Sequence, residues 1–130
     1  MGHWAGEGRF LGNTSQYNLS WQPALGDRFV RLSVRYQWNA NGEPRAFEGE
    51  ALYPLRAGAQ ARGDWFDSEG HRYATSAYRN GANEVVVHWG EGNVRGRSTY
   101  SLAGTELAVS DDVWRDNAWR TFSSARLRRR

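Results

Sequence analysis

Five apolar side chains, Val30, Leu32, Val34, Tyr36 and Trp38, alternate without interruption with Arg31, Ser33, Arg35 and Gln37. A period of two places the first set on one face of an extended strand and the second on the other, a pattern no helix can satisfy. It recurs along the chain. Tyr17, Leu19 and Trp21 alternate with Asn18, Ser20 and Gln22; Val85, Val87 and Trp89 alternate with Val86 and His88. Val94, Ser98, Tyr100 and Leu102 oppose Arg95, Arg97, Thr99 and Ser101. Turn chemistry separates these runs. Glycines at 42, 58, 70, 81, 92 and 104 stand 16, 12, 11, 11 and 12 residues apart, several beside Asn or Asp, as in Asn41-Gly42 and Asn80-Gly81. These residue types accept the positive φ of tight hairpin turns. Strand-length runs between regularly spaced turns describe an antiparallel meander.

The pattern predicts ten strands, near 3–11, 15–22, 27–38, 44–53, 60–66, 71–79, 84–90, 93–102, 105–110 and 113–127, with a helical turn around Ala57–Arg62. Ten strands must close or split into two sheets, because an open edge invites association. Every connection after Gly42 reads as a local hairpin, whereas a Greek key would need a long crossover. The expected fold is therefore all-β, a single closed antiparallel up-and-down barrel. At 130 residues it fills one domain. No apolar run is long enough for a membrane helix.

The chain opens Gly2-His3-Trp4-Ala5-Gly6-Glu7-Gly8. Gly2, Trp4, Gly6 and Gly8 share one strand face, where positions without side chains let another element cross closely. This opening resembles the calycin superfamily, the lipocalins, fatty-acid-binding proteins and their bacterial relatives. The longer Gly-x-Trp-x-Gly-x-Gly form is similar to nitrobindin-like barrels, as is the run Gly42-Glu43-Pro44 followed by Glu48-Gly49-Glu50 and Tyr53. The resemblance implies that Trp4 plugs one barrel end beneath a basic side chain from the last strand, with Arg120 and Arg126 as the candidates for cation–π stacking. Nitrobindin-like proteins hold haem through a histidine near the C-terminal strands. Residues Trp114 to Arg130 contain no histidine, so haem is not carried over and no cofactor is expected.

All 17 basic residues are arginines, and four of them lie in Arg126-Leu127-Arg128-Arg129-Arg130. Without those four, 13 arginines face 14 acids, a net charge of −1. The charge thus reads as a barrel domain over residues 1–125 and a solvated basic tail over 126–130. A nucleic-acid binder would carry a basic face on the body itself, so no nucleic-acid partner is expected. The absence of cysteine fits a cytoplasmic setting and removes disulfides and thiolate chemistry. A homodimer stays open.

Catalytic patterns are sparse. His3, His71 and His88 show no metal-ligand spacing. If Arg79 pairs with Glu84, His88 falls opposite Thr75; with a two-residue turn it falls opposite Tyr73. His88 is either an acid/base in a pocket or a polar group on the outer wall. No Gly-x-Ser-x-Gly is present. Asp111-Asp112 reads as a turn before Val113-Trp114. Glu48 and Glu50 read as solvent-face partners of Arg31 and Arg35 on the neighbouring strand.

Aromatic residues carry the functional expectation. Trp21, Tyr36, Trp38, Tyr53, Trp65, Tyr73, Trp89, Tyr100 and Trp119 fall on many strands. In a closed barrel they converge inside or belt the mouth, and a ten-stranded barrel is wider than the eight-stranded ones that hold one small ligand. With His88 they form the candidate site for a small hydrophobic or aromatic molecule. The alternatives are an isomerase or cyclase working through His88 and a tyrosine, a haem binder, and a barrel with a filled core.

Overall fold

The computed structural model describes residues 2–55 and 60–130. Ten strands follow in chain order: β1 (Gly2–Phe10), β2 (Asn13–Ala24), β3 (Phe29–Ala40), β4 (Glu43–Pro54), β5 (Gln60–Asp67), β6 (Arg72–Arg79), β7 (Glu84–Glu91), β8 (Val94–Ala103), β9 (Glu106–Arg115) and β10 (Ala118–Arg129). Each pairs antiparallel with its sequence neighbours, and β1 also pairs with β10, so the sheet closes into an up-and-down barrel without an edge. Among the described residues no helix is long and apolar enough to cross a membrane. Of the expected helical turn, Ala57 lies outside the described residues, and Gln60–Arg62 are already strand β5.

Asn41 (φ 53°) and Gly42 (φ 80°) make a two-residue hairpin turn whose left-handed backbone matches the twist of β3 and β4. Register then follows from parity. Arg35 of β3 stands opposite Glu48 of β4 and forms an ion pair with it, while Ser33 donates to Glu50 at 3.2 Å. Both glutamates are on the outer wall, as the alternation predicts. Arg31 stands opposite Leu52 instead.

The β1–β10 seam explains the glycines of the first strand. Gly8 stands opposite Ala125, and a Cβ at Gly8 would overlap the Ala125 side chain and the Ser124 carbonyl. A Cβ at Gly6 would lie 2.7 Å from the Arg126 carbonyl oxygen. Trp4 is 5 % exposed and lies toward the lower end of the barrel, beside the cavity there. The cation above its ring belongs to Arg129, with the guanidinium carbon 5.6 Å from the ring centroid. Arg120 and Arg126 do not fill this role. Arg129 faces Trp4 across the seam, whereas Arg126 points outward to Glu106 at 3.0 Å. Arg120 sits at the opposite end, 3.9 Å from Asp116.

Two further boundaries differ from the sequence reading. The arginine-rich end is no appended tail beyond residue 125, because β10 continues to Arg129 with Leu127 wholly buried. Arg126 and Arg128 are simply the outward positions of an alternating strand. Likewise Asp111-Asp112 lies within β9, and the turn falls at Asp116-Asn117 (φ 51° and 60°). Paired acids are common in turns, but here they face opposite sides of the sheet. Asp112 turns outward to Arg97 at 2.8 Å and Asp111 inward to Ser98 and the cavity, and both are buried. A β-bulge between Thr121 and Ser123 offsets the β9–β10 register, so that neighbouring Phe122 and Ser123 both serve the interior.

The interior is neither solid nor a tunnel. Tyr17, Leu19, Leu32 and Leu127 are less than 2 % exposed and pack the middle of the barrel from β2, β3 and β10. Tyr53 and Tyr100 line two cavities. The lower cavity lies beside Trp4, and its wall runs through Leu55 and Gln60, on either side of the undescribed stretch. The upper one opens between the β1–β2 and β5–β6 turns.

Candidate functional site

The upper cavity has a volume of about 230 Å³ and is walled mainly by rings. Six of them form a collar. Phe10 (β1) lies 5.4 Å from Phe47 (β4), and Phe47 lies 6.4 Å from Trp65 (β5), between centroids. Trp65 stands opposite Tyr73 (β6) in the sheet register. Tyr73 lies 5.6 Å from Trp89 (β7), Trp89 lies 6.3 Å from Phe122 (β10), and Phe122 lies 6.3 Å from Phe10. Offset and edge-on pairs at these separations are individually favourable. Together they hold the rings against the wall.

Two glycines help keep the rings flat. A Cβ at Gly96 would overlap the indole of its cross-strand partner Trp89, and one at Gly49 would overlap Trp65. Gly96→Ala is therefore expected to force Trp89 off the wall, with an overpacking cost of about 1–3 kcal/mol in urea denaturation. An unchanged midpoint would mean that the ring tilts freely and the glycine is not its seat.

Beneath the collar the polar groups converge on Asp111. Ser98 donates to its Oδ1 at 2.5 Å, and the Ser123 hydroxyl is also hydrogen-bonded to the carboxylate. The network extends on both sides: Trp89 Nε1 donates to Ser98 at 3.3 Å, and the Tyr17 hydroxyl lies 2.6 Å from Ser123 Oγ. Burial pushes the Asp111 pKa up to about 6, the serine bonds opposing the shift and neighbouring Asp112 adding to it. The same low-polarity surroundings, with the Asp111 charge second, hold the Tyr36 and Tyr100 hydroxyls well above the usual phenol range.

The rim is built on the β5–β6 turn. Asp67 Oδ1 accepts from the backbone N–H groups of Glu69 (3.0 Å) and His71 (3.1 Å), and Oδ2 accepts from Trp65 Nε1 at 3.0 Å. The His71 ring lies 3.3 Å from the Asp67 carboxylate and stacks on Tyr73. Asp67 is thus committed to holding the turn and the Trp65 ring. Leu11, 58 % exposed and at φ 50°, overhangs the same mouth. A leucine held in the left-handed region is a costly choice for a hairpin turn.

Of the residues expected at the site, Tyr36, Tyr53, Trp65, Tyr73, Trp89 and Tyr100 line this cavity. Trp38 backs it, packing on Phe10 at 5.2 Å. Trp21 lines the lower cavity and packs edge-on against Tyr100 at 5.5 Å. His88 and Trp119 are on the outer wall. His88 stands opposite Ser76, a register neither expectation contained, and its Nε2 lies 3.2 Å from the Tyr78 hydroxyl. Trp119 lies beneath the Arg97 guanidinium at 4.4 Å. An acid/base reading through His88 thus has no access to the cavity. Phe10, Phe47, Phe122, Asp111, Asp67 and His71 were not expected there. Phe10 and Phe47 continue the alternation of β1 and β4 and were readable from it; Phe122 is hidden by the bulge.

Among the described residues no three potential metal ligands come together. Haem does not fit the donor set. The histidine facing the cavity, His71, lies between Asp67 and Glu69, which would repel the two carboxylates of a haem, and among the described residues no arginine lines the site to receive them.

Among solved structures, the crystal structure of Rv2717c from M. tuberculosis is similar, with a TM-score of 0.75 and 14 % identity over 100 % of this chain and 92 % of that one. That likeness shows the fold alone. No protein-family model matches the chain, and no curated protein does. The functional reading therefore rests on the cavity.

Proposed function

We propose that this protein is a calycin-like carrier that binds a small hydrophobic or aromatic molecule in its upper cavity. The observation that carries the reading is the collar of six rings from six different strands around an open space. A core evolved only for packing would be filled to native density; here the rings stand against the wall, two of them seated on glycine. Ligand pockets combine such apolar walls with a few convergent polar groups, and Ser98, Thr75 and Asp111 supply those. The volume of about 230 Å³ sits below the roughly 300–1,000 Å³ of drug-sized sites, so the ligand has one or two rings. Leu11 at the mouth adds apolar surface where such a molecule would enter.

A neutral naphthalene-based reporter is expected to quench tryptophan emission saturably, with one molecule per chain and a dissociation constant in the micromolar range, about −8 kcal/mol. Trp89→Ala should weaken binding, while Arg128→Ala on the outer wall should leave it unchanged. Absence of saturable quenching in folded wild-type protein would end the proposal. Native mass spectrometry of protein purified from its source should reveal a retained small molecule.

A further inference from the structure

The geometry points to an organic cation as the ligand: a primary or substituted ammonium carried on a one- or two-ring skeleton, its charge seated on Asp111 and its rings within the collar. The inference rests on the carrier reading above and adds the sign of the ligand's charge. Asp111 is 6 % exposed, lines the cavity and receives hydrogen bonds from two neutral hydroxyls, Ser98 and Ser123. Neither brings a positive charge. Tyr17, Tyr36 and Tyr100 face the carboxylate from β2, β3 and β8, and Asp112 follows it on β9. Among the described residues the cavity lining includes no arginine, and lysine is absent from the sequence. Among the described lining residues the one basic side chain is His71, held at the rim beside Asp67 and Glu69.

A buried carboxylate without a countercharge is costly, and a cation arriving with the ligand relieves that cost. The walls favour the same sign. Aromatic faces carry negative electrostatic potential, so rings surrounding one point form a site for ammonium groups. An anionic ligand would meet negative ring faces and the Asp111 carboxylate, with neutral hydroxyls such as Ser98 and Thr75 beside them. One apolar wall alone would accept any hydrophobe; the carboxylate floor beneath it selects.

The test uses three naphthalene derivatives on the full chain at pH 7.5, alike except for the group on the single attached carbon: ammonium, hydroxyl or carboxylate. Tryptophan quenching and calorimetry give each dissociation constant. The ammonium is expected to bind about tenfold more tightly than the alcohol, the increment of a desolvated cation over rings and a carboxylate, with the carboxylate weakest. In Asp111→Asn, with folding checked by circular dichroism, the ratio of the alcohol to the ammonium dissociation constant should fall to within about threefold. If the alcohol matches the ammonium in wild type, or the carboxylate binds best, the cation assignment is overturned while the carrier reading stands. If Asp111→Asn keeps the full preference, the assignment to Asp111 is overturned. If none of the three binds, the carrier reading falls and this one with it.

Discussion

Replacing Trp4 with alanine is expected to destabilise the barrel by about 3–5 kcal/mol, the range for truncating a buried large aromatic. The ring is 5 % exposed and lies under the Arg129 guanidinium. Its truncation would remove the apolar contacts and leave the guanidinium over a void. One compensation works the other way: among the described residues Trp4 Nε1 is buried without a hydrogen-bond partner, an unfavourable group that alanine would eliminate. The lower half of the range is therefore the better expectation. Chemical denaturation decides the matter. A loss below about 1 kcal/mol would mean that the seam holds through its backbone ladder and glycines alone, and that the ring is dispensable. Arg129→Ala should cost less than Trp4→Ala, because cation–π contacts contribute about 0.5–2 kcal/mol.

Asp111→Asn is expected to act in the opposite direction and stabilise the protein at pH 7. Burial raises the Asp111 pKa from 3.8 to about 6. Between those values the folded state holds a proton that the unfolded state has released. Stability therefore falls as pH rises from about 4 to about 6, and above that the ionised carboxylate costs the fold roughly 3 kcal/mol. Asparagine keeps the shape without the charge and stays neutral throughout. The difference between variant and wild type in urea denaturation should be largest at pH 7 and shrink toward zero near pH 4. Titrations elsewhere in the molecule cancel in that difference. If the variant is instead less stable than wild type at pH 7, the hydrogen bonds from Ser98 and Ser123 outweigh desolvation, and Asp111 is a structural group. A residue that weakens the fold while lining a cavity is the usual mark of a site kept for its chemistry.

Much of the architecture was legible because alternation and turn chemistry are local. Val30 to Trp38 and the Asn41-Gly42 turn carry their own instructions, and ten such units leave closure as the natural solution. The site was legible only where it inherits that alternation. Trp65, Tyr73 and Trp89 face inward because their strands keep strict parity. Phe122 escaped because a bulge inserts one residue and flips the parity on which such reading depends. Asp111 escaped for a different reason: two adjacent acids have the composition of a turn, and only the long-range partners Arg97, Ser98, Thr121 and Ser123 make a strand interior tolerable for them. Arg129 is not readable as the cation over Trp4, because cross-seam register is a property of closure, which no local window contains. The outward placement of His88 was open because its register depends on a one-residue difference across the β6–β7 turn.

The pairing of Trp4 with Arg129 has a kinetic consequence. Every other ladder joins strands that are adjacent in sequence and can form as soon as a hairpin has been made. The seam joins positions separated by nearly the whole chain, so its loop-closure entropy is the largest in the molecule. Contacts of such long sequence separation are the slow ones to form. Until the seam forms, β1 and β10 each present a bare edge, and one open ten-stranded sheet can offer its edge to another. Gly6 and Gly8 are thus gatekeepers of the final folding step as much as spacers. Bulk introduced there would lengthen the life of an open, sticky intermediate.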